Sequence, residues 1–82
     1  MRPQGTADNV RARILVTEPI CERGIQVLRS IGDVEDETGI ERGRLLEVVD
    51  GFDALVVRSH TLVDRELIER GRKLRVVGRA GV

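Results

Sequence analysis

Tryptophan and tyrosine are absent from this chain of 82 residues, and Phe52 is its one aromatic. Without them there is no platform on which bases could stack. Fourteen basic residues balance fourteen acidic ones, and no basic block stands out. Nucleic acid is therefore not an expected partner. Cysteine is nearly absent too. Cys21 stands alone, which leaves no internal disulfide framework and points to a reducing cytoplasm. No apolar run approaches the roughly 18 residues that a membrane span needs, so no membrane partner is expected. The first eleven residues, "MRPQGTADNVR", lack the apolar stretch of a signal peptide and read as a disordered tail, residues 1–11.

What remains is mostly Val, Leu and Ile, within a hydrophobic fraction of 40%. Such a chain can build a core, but at this length folding removes only roughly 60–65% of the unfolded surface from water. Three short apolar runs stand out: "RILVT" (Arg13 to Thr17), "ALVV" (Ala54 to Val57) and "LRVVG" (Leu74 to Gly78). They are rich in β-branched residues, and the first two are continuous rather than alternating. Strands covered on both faces read this way, which implies a parallel sheet flanked by helices. "DVEDE" (Asp33 to Glu37) makes sense as a strand only at an exposed edge, where charge discourages further pairing.

Helical patterns lie between these runs. Glu22 to Ile31 places Ile25, Leu28 and Ile31 on one face and stops at Gly32, a suitable left-handed cap. Arg42 to Asp50 carries Leu45, Leu46 and Val49 and stops at Gly51. A third helix starts from Asp64 as N-cap, runs through Leu67 and Ile68 and stops near Gly71. The order is β-α-β-α-β-α-β. Right-handed crossovers then give an α/β, flavodoxin-like open parallel sheet with strand order 2-1-3-4 over residues 12–82. The apolar pair Val76 and Val77 reads as a covered strand, although that order puts it at an edge. A fifth strand is expected beside it, and the chain is expected to be incomplete.

Ligands of open α/β sheets bind outside the carboxyl ends of the strands, near the point where strand order reverses. There the sequence offers Thr17-Glu18-Pro19, Arg58-Ser59-His60-Thr61 and Arg79-Ala80-Gly81-Val82. Neighbouring strands lie about 5 Å apart, so Arg58 and Arg79 should project at one edge. Two guanidiniums, the Ser59 hydroxyl and approachable glycine amides suit an anion, because guanidinium forks match carboxylate and phosphate oxygens. Ordinary solvated salt bridges are the competing account of the same arginines. His60 has no nucleophile placed beside it by any motif, and no catalytic residue is assigned. Cys21, where the first helix starts, is read as a small residue near a cap rather than a reactive thiol. Glu35-Asp36-Glu37 lacks metal-site geometry because strand alternation splits it between two faces, and no metal is expected. "GRAGV" has no P-loop lysine, and no G-x-G-x-x-G links a strand to a helix. A receiver-like phosphoacceptor domain would want Asp where Arg58 stands.

Taken together, "ILVTEPICERGIQVLRSIG", "FDALVVRSHTLVDRELIE" and "KLRVVGRAGV" resemble the opening of the NAD-dependent D-isomer-specific 2-hydroxyacid dehydrogenases. The resemblance implies the N-terminal part of a substrate-binding domain. The Rossmann domain that binds NAD, and the catalytic Arg, Glu and His, would lie outside this chain. It further implies that Arg58 and Ser59 of "VRS" and Arg79 of "GRAG" contact the substrate. Val82 would match a position whose backbone binds the substrate carboxylate and lies close to the nicotinamide. The implied substrate is a small anion, a phosphorylated or plain 2-hydroxy acid. His60 departs from the family pattern of Ala or Arg. The 82 residues alone are expected to bind no NAD, to show no dehydrogenase activity and to form homo-oligomers. A different reading makes the chain a standalone, non-enzymatic anion-binding or interaction module that covers Val76 and Val77 by self-association.

Overall fold

In the computed structural model, which describes residues 11–81, the middle of the sheet is built from the two continuous apolar runs. Strands β1 (Ala12–Val16), β2 (Gly32–Asp36), β3 (Ala54–Val57) and β4 (Val76–Arg79) pair parallel throughout, in the order β2-β1-β3-β4. Helices α1 (Glu22–Ile31), α2 (Arg42–Val48) and α3 (Arg65–Arg70) connect them. The predicted architecture and strand order are those observed.

Burial accounts for the two central positions. β1 and β3 pair Ile14 with Ala54, Leu15 with Leu55 and Val16 with Val56. Alternation sends Leu15, Leu55 and Val57 to one face, where they meet Leu45, Val49, Phe52 and Leu67. Ile14 and Val16 go to the other face and pack against Ile25 of α1. Burying one such side chain fully contributes about 1.5–3 kcal/mol, so strands with no polar face are held where both faces are covered. β2 takes the expected acidic edge. Its exposed Asp33 and Glu35 pair with Arg11 and Arg13, and Arg13 also lies 4.6 Å over the Phe52 ring. Arg11 additionally donates to the carbonyls of Arg29 and Gly32. The rest of the expected tail, residues 1–10, lies outside the described residues.

Helix starts and stops are set locally. Asp64 caps α3 by accepting the Leu67 amide at 3.1 Å, as predicted. The same carboxylate receives one Arg42 nitrogen on both oxygens at 2.8 Å, tying the start of α2 to the start of α3. Arg42, and then the Leu67 amide, hold the Asp64 carboxyl below its ordinary pKa. α2 ends earlier than expected, at Val48, and tightens into a 3₁₀ turn, Val49–Gly51.

Three expectations are corrected. Gly32 is not a left-handed cap but extended backbone, φ −166° and ψ −179°. It opens β2 directly, and a Cβ there would stand 2.6 Å from the Ala12 carbonyl oxygen and 2.8 Å from Ile14 Cδ1. Close approach, not handedness, selects glycine. Because the chain turns straight from α1 into β2, Ile31 leaves the apolar face and is 65% exposed. Finally, β4 starts at Val76 rather than Leu74. Leu74 donates its amide to Gly71 in a turn and tucks its side chain against the core, leaving Val76 58% and Val77 38% exposed along an open edge.

Among the described residues no helix is long and apolar enough to cross a membrane.

The two glycines with opposite surroundings give a matched test. Gly32→Ala should destabilise the chain by about 1–3 kcal/mol through overpacking. Gly43→Ala, in α2 with nothing within 4 Å of the added carbon, should stabilise it by about 0.5–1 kcal/mol. Urea unfolding of both variants checks the pair, and equal effects would refute the close-approach account of Gly32.

Candidate functional site

The carboxyl ends of β1, β3 and β4 meet at one rim of the sheet because their registers run to their ends. Thr17 donates its amide to the Val56 carbonyl at 3.1 Å, and Ala80 donates to the Val57 carbonyl at 2.8 Å. The three segments singled out in the sequence therefore arrive together.

At the centre of this rim sits a residue to which the sequence reading gave no role. Glu18 is buried, 7% exposed. Its carboxylate accepts the amides of Arg58 at 2.7 Å, Thr61 at 2.9 Å and His60 at 2.9 Å. Below it, Thr17 and Thr61 join their hydroxyls at 2.8 Å. Burial alone would raise the Glu18 pKa. The Thr61 hydroxyl and the His60, Arg58 and Thr61 amides outweigh it and bring the carboxyl down from 4.5 to about 2. The loop after β3 is thus wrapped around an ion supplied by the chain itself, in the manner of a backbone nest. The signal that could have found it is an acidic residue two positions past the buried apolar run Ile14–Val16, where a free charge would be costly.

The predicted substrate contacts fall on two sides of this rim. Strand pairing matches Val57 with Arg79, so Arg58 and Arg79 are out of step by one residue and lean toward opposite faces. The Arg58 guanidinium lies on the α1 side, where it donates to the Pro19 carbonyl at 3.1 Å. There it lines a cleft of about 340 Å³ with Ile20, Cys21 and Gly81. Gly81 has φ +87°, and a Cβ on it would stand 3.4 Å from the guanidinium. Glycine lets Arg58 lie against backbone. Arg79 lines a second cleft of about 390 Å³ on the α3 side, together with Arg58, Ser59, His60, Leu62 and Val77. Among the described residues neither arginine is bridged to a carboxylate, whereas Arg11, Arg13, Arg42, Arg44, Arg65 and Arg70 all are. Val82 lies outside the described residues.

His60 is an exposed side chain with Nδ1 3.5 Å from Glu18. Cys21 occupies the N-cap position of α1, and its side chain makes no capping bond. Among the described residues no three His, Cys, Asp or Glu side chains gather in a way that could hold a metal ion. The turns after β1, β2 and β3 contain no G-x-G-x-x-G, so these residues do not fit a dinucleotide pyrophosphate.

An open parallel sheet with a cationic rim at its strand ends is the substrate-side layout of many α/β enzymes. The family model described as D-isomer specific 2-hydroxyacid dehydrogenase, catalytic domain, matches residues 14–82. The chain belongs to that family. It is 50% identical over 70 residues to a D-3-phosphoglycerate dehydrogenase of Methanocaldococcus jannaschii, an alignment covering 85% of this chain and 13% of the relative. The D-3-phosphoglycerate dehydrogenase of Archaeoglobus fulgidus is 45% identical, over 85% of this chain and 14% of the relative. A hydroxypyruvate reductase of Thermotoga maritima is 33% identical, over 88% of this chain and 24% of the relative. The chain thus spans a small part of the length of the proteins it matches. Among solved structures, the PH0520 protein of Pyrococcus horikoshii OT3 shares the fold with a TM-score of 0.79 at 24% identity, covering 85% of this chain and 21% of that one. The NAD+-bound 3-phosphoglycerate dehydrogenase of Entamoeba histolytica shares it at 0.67 and 23% identity, over 89% and 26%.

The depressed Glu18 pKa has a signed consequence. An unfolded chain holds that proton below about 4.5, whereas the folded chain takes it up only near 2. Stability from this group is therefore complete above the unfolded value and is lost as pH falls toward 2. Urea unfolding at pH 6 and pH 3 should show the wild type losing more stability than Glu18→Gln. An equal loss in both would show that Glu18 carries no such linkage.

Proposed function

We propose that this chain forms the N-terminal part of the substrate-binding domain of an NAD-dependent oxidoreductase. The reaction proposed is the oxidation of 3-phosphoglycerate to 3-phosphohydroxypyruvate, the entry to serine synthesis, in a cytoplasmic enzyme. The observation that carries this reading is the pair of guanidiniums without carboxylate partners among the described residues, set on two sides of one rim, with Ser59 lining the cleft that holds Arg79. Two cationic stations suit a ligand with two anionic groups better than a single carboxylate. The names of the relatives at 50% and 45% identity support the same substrate.

In this reading Arg58 and Arg79 bind the anionic groups and Ser59 orients the molecule across the strand ends. Val82 adds a backbone contact to carboxylate and nicotinamide. NAD, when bound elsewhere in the complete enzyme, supplies the hydride acceptor. This segment contributes no group that takes the hydroxyl proton, and its work is to hold the substrate.

The test is kinetic. In an enzyme carrying this segment, Arg58→Ala should raise KM for 3-phosphoglycerate roughly 10- to 150-fold, the loss of one charge-assisted contact, with KM for NAD unchanged. Equal losses for substrate and cofactor would overturn the assignment. The 82 residues alone should form no NADH from 3-phosphoglycerate and NAD, and NADH above a no-protein control would overturn the claim that hydride chemistry lies elsewhere.

A second reading, a binding or interaction module that associates with itself, is favoured by the exposed Val76 and Val77 on an unpaired edge. It predicts oligomers whose population rises with concentration and falls in Val77→Lys. Sedimentation velocity showing a monomer at every concentration would remove it, and with it the homo-oligomer expected of the chain alone.

A further inference from the structure

Two neighbouring residues at the end of β1 hold Arg58 at both ends. Glu18 takes its amide at 2.7 Å, and Pro19 takes its guanidinium at 3.1 Å. The same carboxylate takes the amides of His60 and Thr61, both at 2.9 Å. Within Arg58-Ser59-His60-Thr61 this leaves Ser59 as the residue whose amide has no partner among the described residues. Three of the four loop amides turn inward to Glu18, Ser59 is left as the one that does not, and the Arg58 side chain lies against Gly81.

We infer that Glu18 is a positioning residue for the substrate loop, an internal anion that fixes where Arg58 and Ser59 meet an external one. The inference rests on the substrate-binding reading above for its ligand, but not for its effect on the loop. Glu18 touches no substrate. By occupying three of the four amides it denies them to an incoming phosphate, so the ligand is confined to the guanidiniums, the Ser59 hydroxyl and the Ser59 amide. Its side-chain length matters as much as its charge, because both oxygens must reach across from β1 to the loop after β3.

Charge and position make opposite predictions, which separates them. A buried carboxylate that merely contributed its charge would repel an anion, so Glu18→Gln would tighten binding and Glu18→Asp would leave it unchanged. A carboxylate that positions the loop requires both variants to weaken binding. The experiment is amide-resolved NMR of the 82-residue chain, free and titrated with D-3-phosphoglycerate, for wild type, Glu18→Gln and Glu18→Asp. In the free wild type the Arg58, His60 and Thr61 amides should exchange with solvent more slowly than Ser59. In both variants those three signals should shift together while those of β1 and β3 stay in place. Affinity for D-3-phosphoglycerate should fall about tenfold in each, the scale of one charge-assisted hydrogen bond. Tighter binding by Glu18→Gln, or wild-type affinity in Glu18→Asp, would overturn the inference. So would three loop amides exchanging as fast as Ser59 in the wild type, a reading that stands even where neither variant folds. A wild type that gives no response to D-3-phosphoglycerate would instead sink the proposed substrate, and the spectra of the free chain would still decide whether Glu18 holds the loop.

Discussion

Everything at the functional rim depends on the parallel pairing of β1 with β3. Leu15 and Leu55 lie opposite one another with no exposed surface, and Val16, beside them, has none either. Because both strands are apolar on both faces, neither can move to an edge without exposing a row of side chains, each costing about 1.5–3 kcal/mol. A slip of one residue in register would exchange their two faces. That constraint places the end of β1 against the end of β3, and with it Glu18 within reach of the loop that β3 enters. A charged side chain is brought into a buried position by the packing of its apolar neighbours.

The carboxylate then needs partners, since a buried charge left unpaired costs far more than one that is hydrogen-bonded. No arginine fills that role. Arg58 gives Glu18 its amide and gives its guanidinium to the neighbouring Pro19 carbonyl. The loop satisfies Glu18 with three backbone amides and the Thr61 hydroxyl, which leaves the nearby guanidiniums without a carboxylate partner among the described residues. Six arginines elsewhere are engaged with carboxylates, while Arg58 and Arg79 share their unbridged state, among the described residues, with Arg23, Arg29, Arg72 and Arg75.

The sequence shows clearly those features that follow from one-dimensional patterning. Continuous apolar runs announced buried parallel strands, the acidic "DVEDE" announced an edge, and Asp64 announced a cap. What escaped it required distances between segments remote in the chain. Gly32 carries the same glycine signal as a helix terminator, yet its reason is the Ala12 carbonyl from a neighbouring strand. Glu18 lies forty residues from Arg58, and its place just past an apolar run hints at burial without naming the amides that would meet it. Arg58 and Arg79 were visible as a pair at adjacent strand ends, but their one-residue stagger and opposite lean follow from the β3–β4 register. Periodicity within one strand gives no information about that register.

The two cationic stations are unequal in their support. Arg58 is clamped at amide and guanidinium by residues that follow the buried Ile14–Val16 run of β1. Arg79 ends β4, which pairs on one side with β3 and exposes Val76 and Val77 on the other. Local stability follows packing, so the β4 end opens more readily than the β3 end. In the proposed substrate reading, one anionic group of the ligand would be met by a fixed partner, and the other by a partner whose strand is more easily displaced. Whatever covers the β4 edge, whether more of the same protein or a second copy, also steadies Arg79. Occupation of that edge and affinity at the Arg79 station are then linked quantities, because anything bound preferentially to the ordered strand stabilises it by mass action. The open edge and the Arg79 side of the rim are two consequences of the same strand.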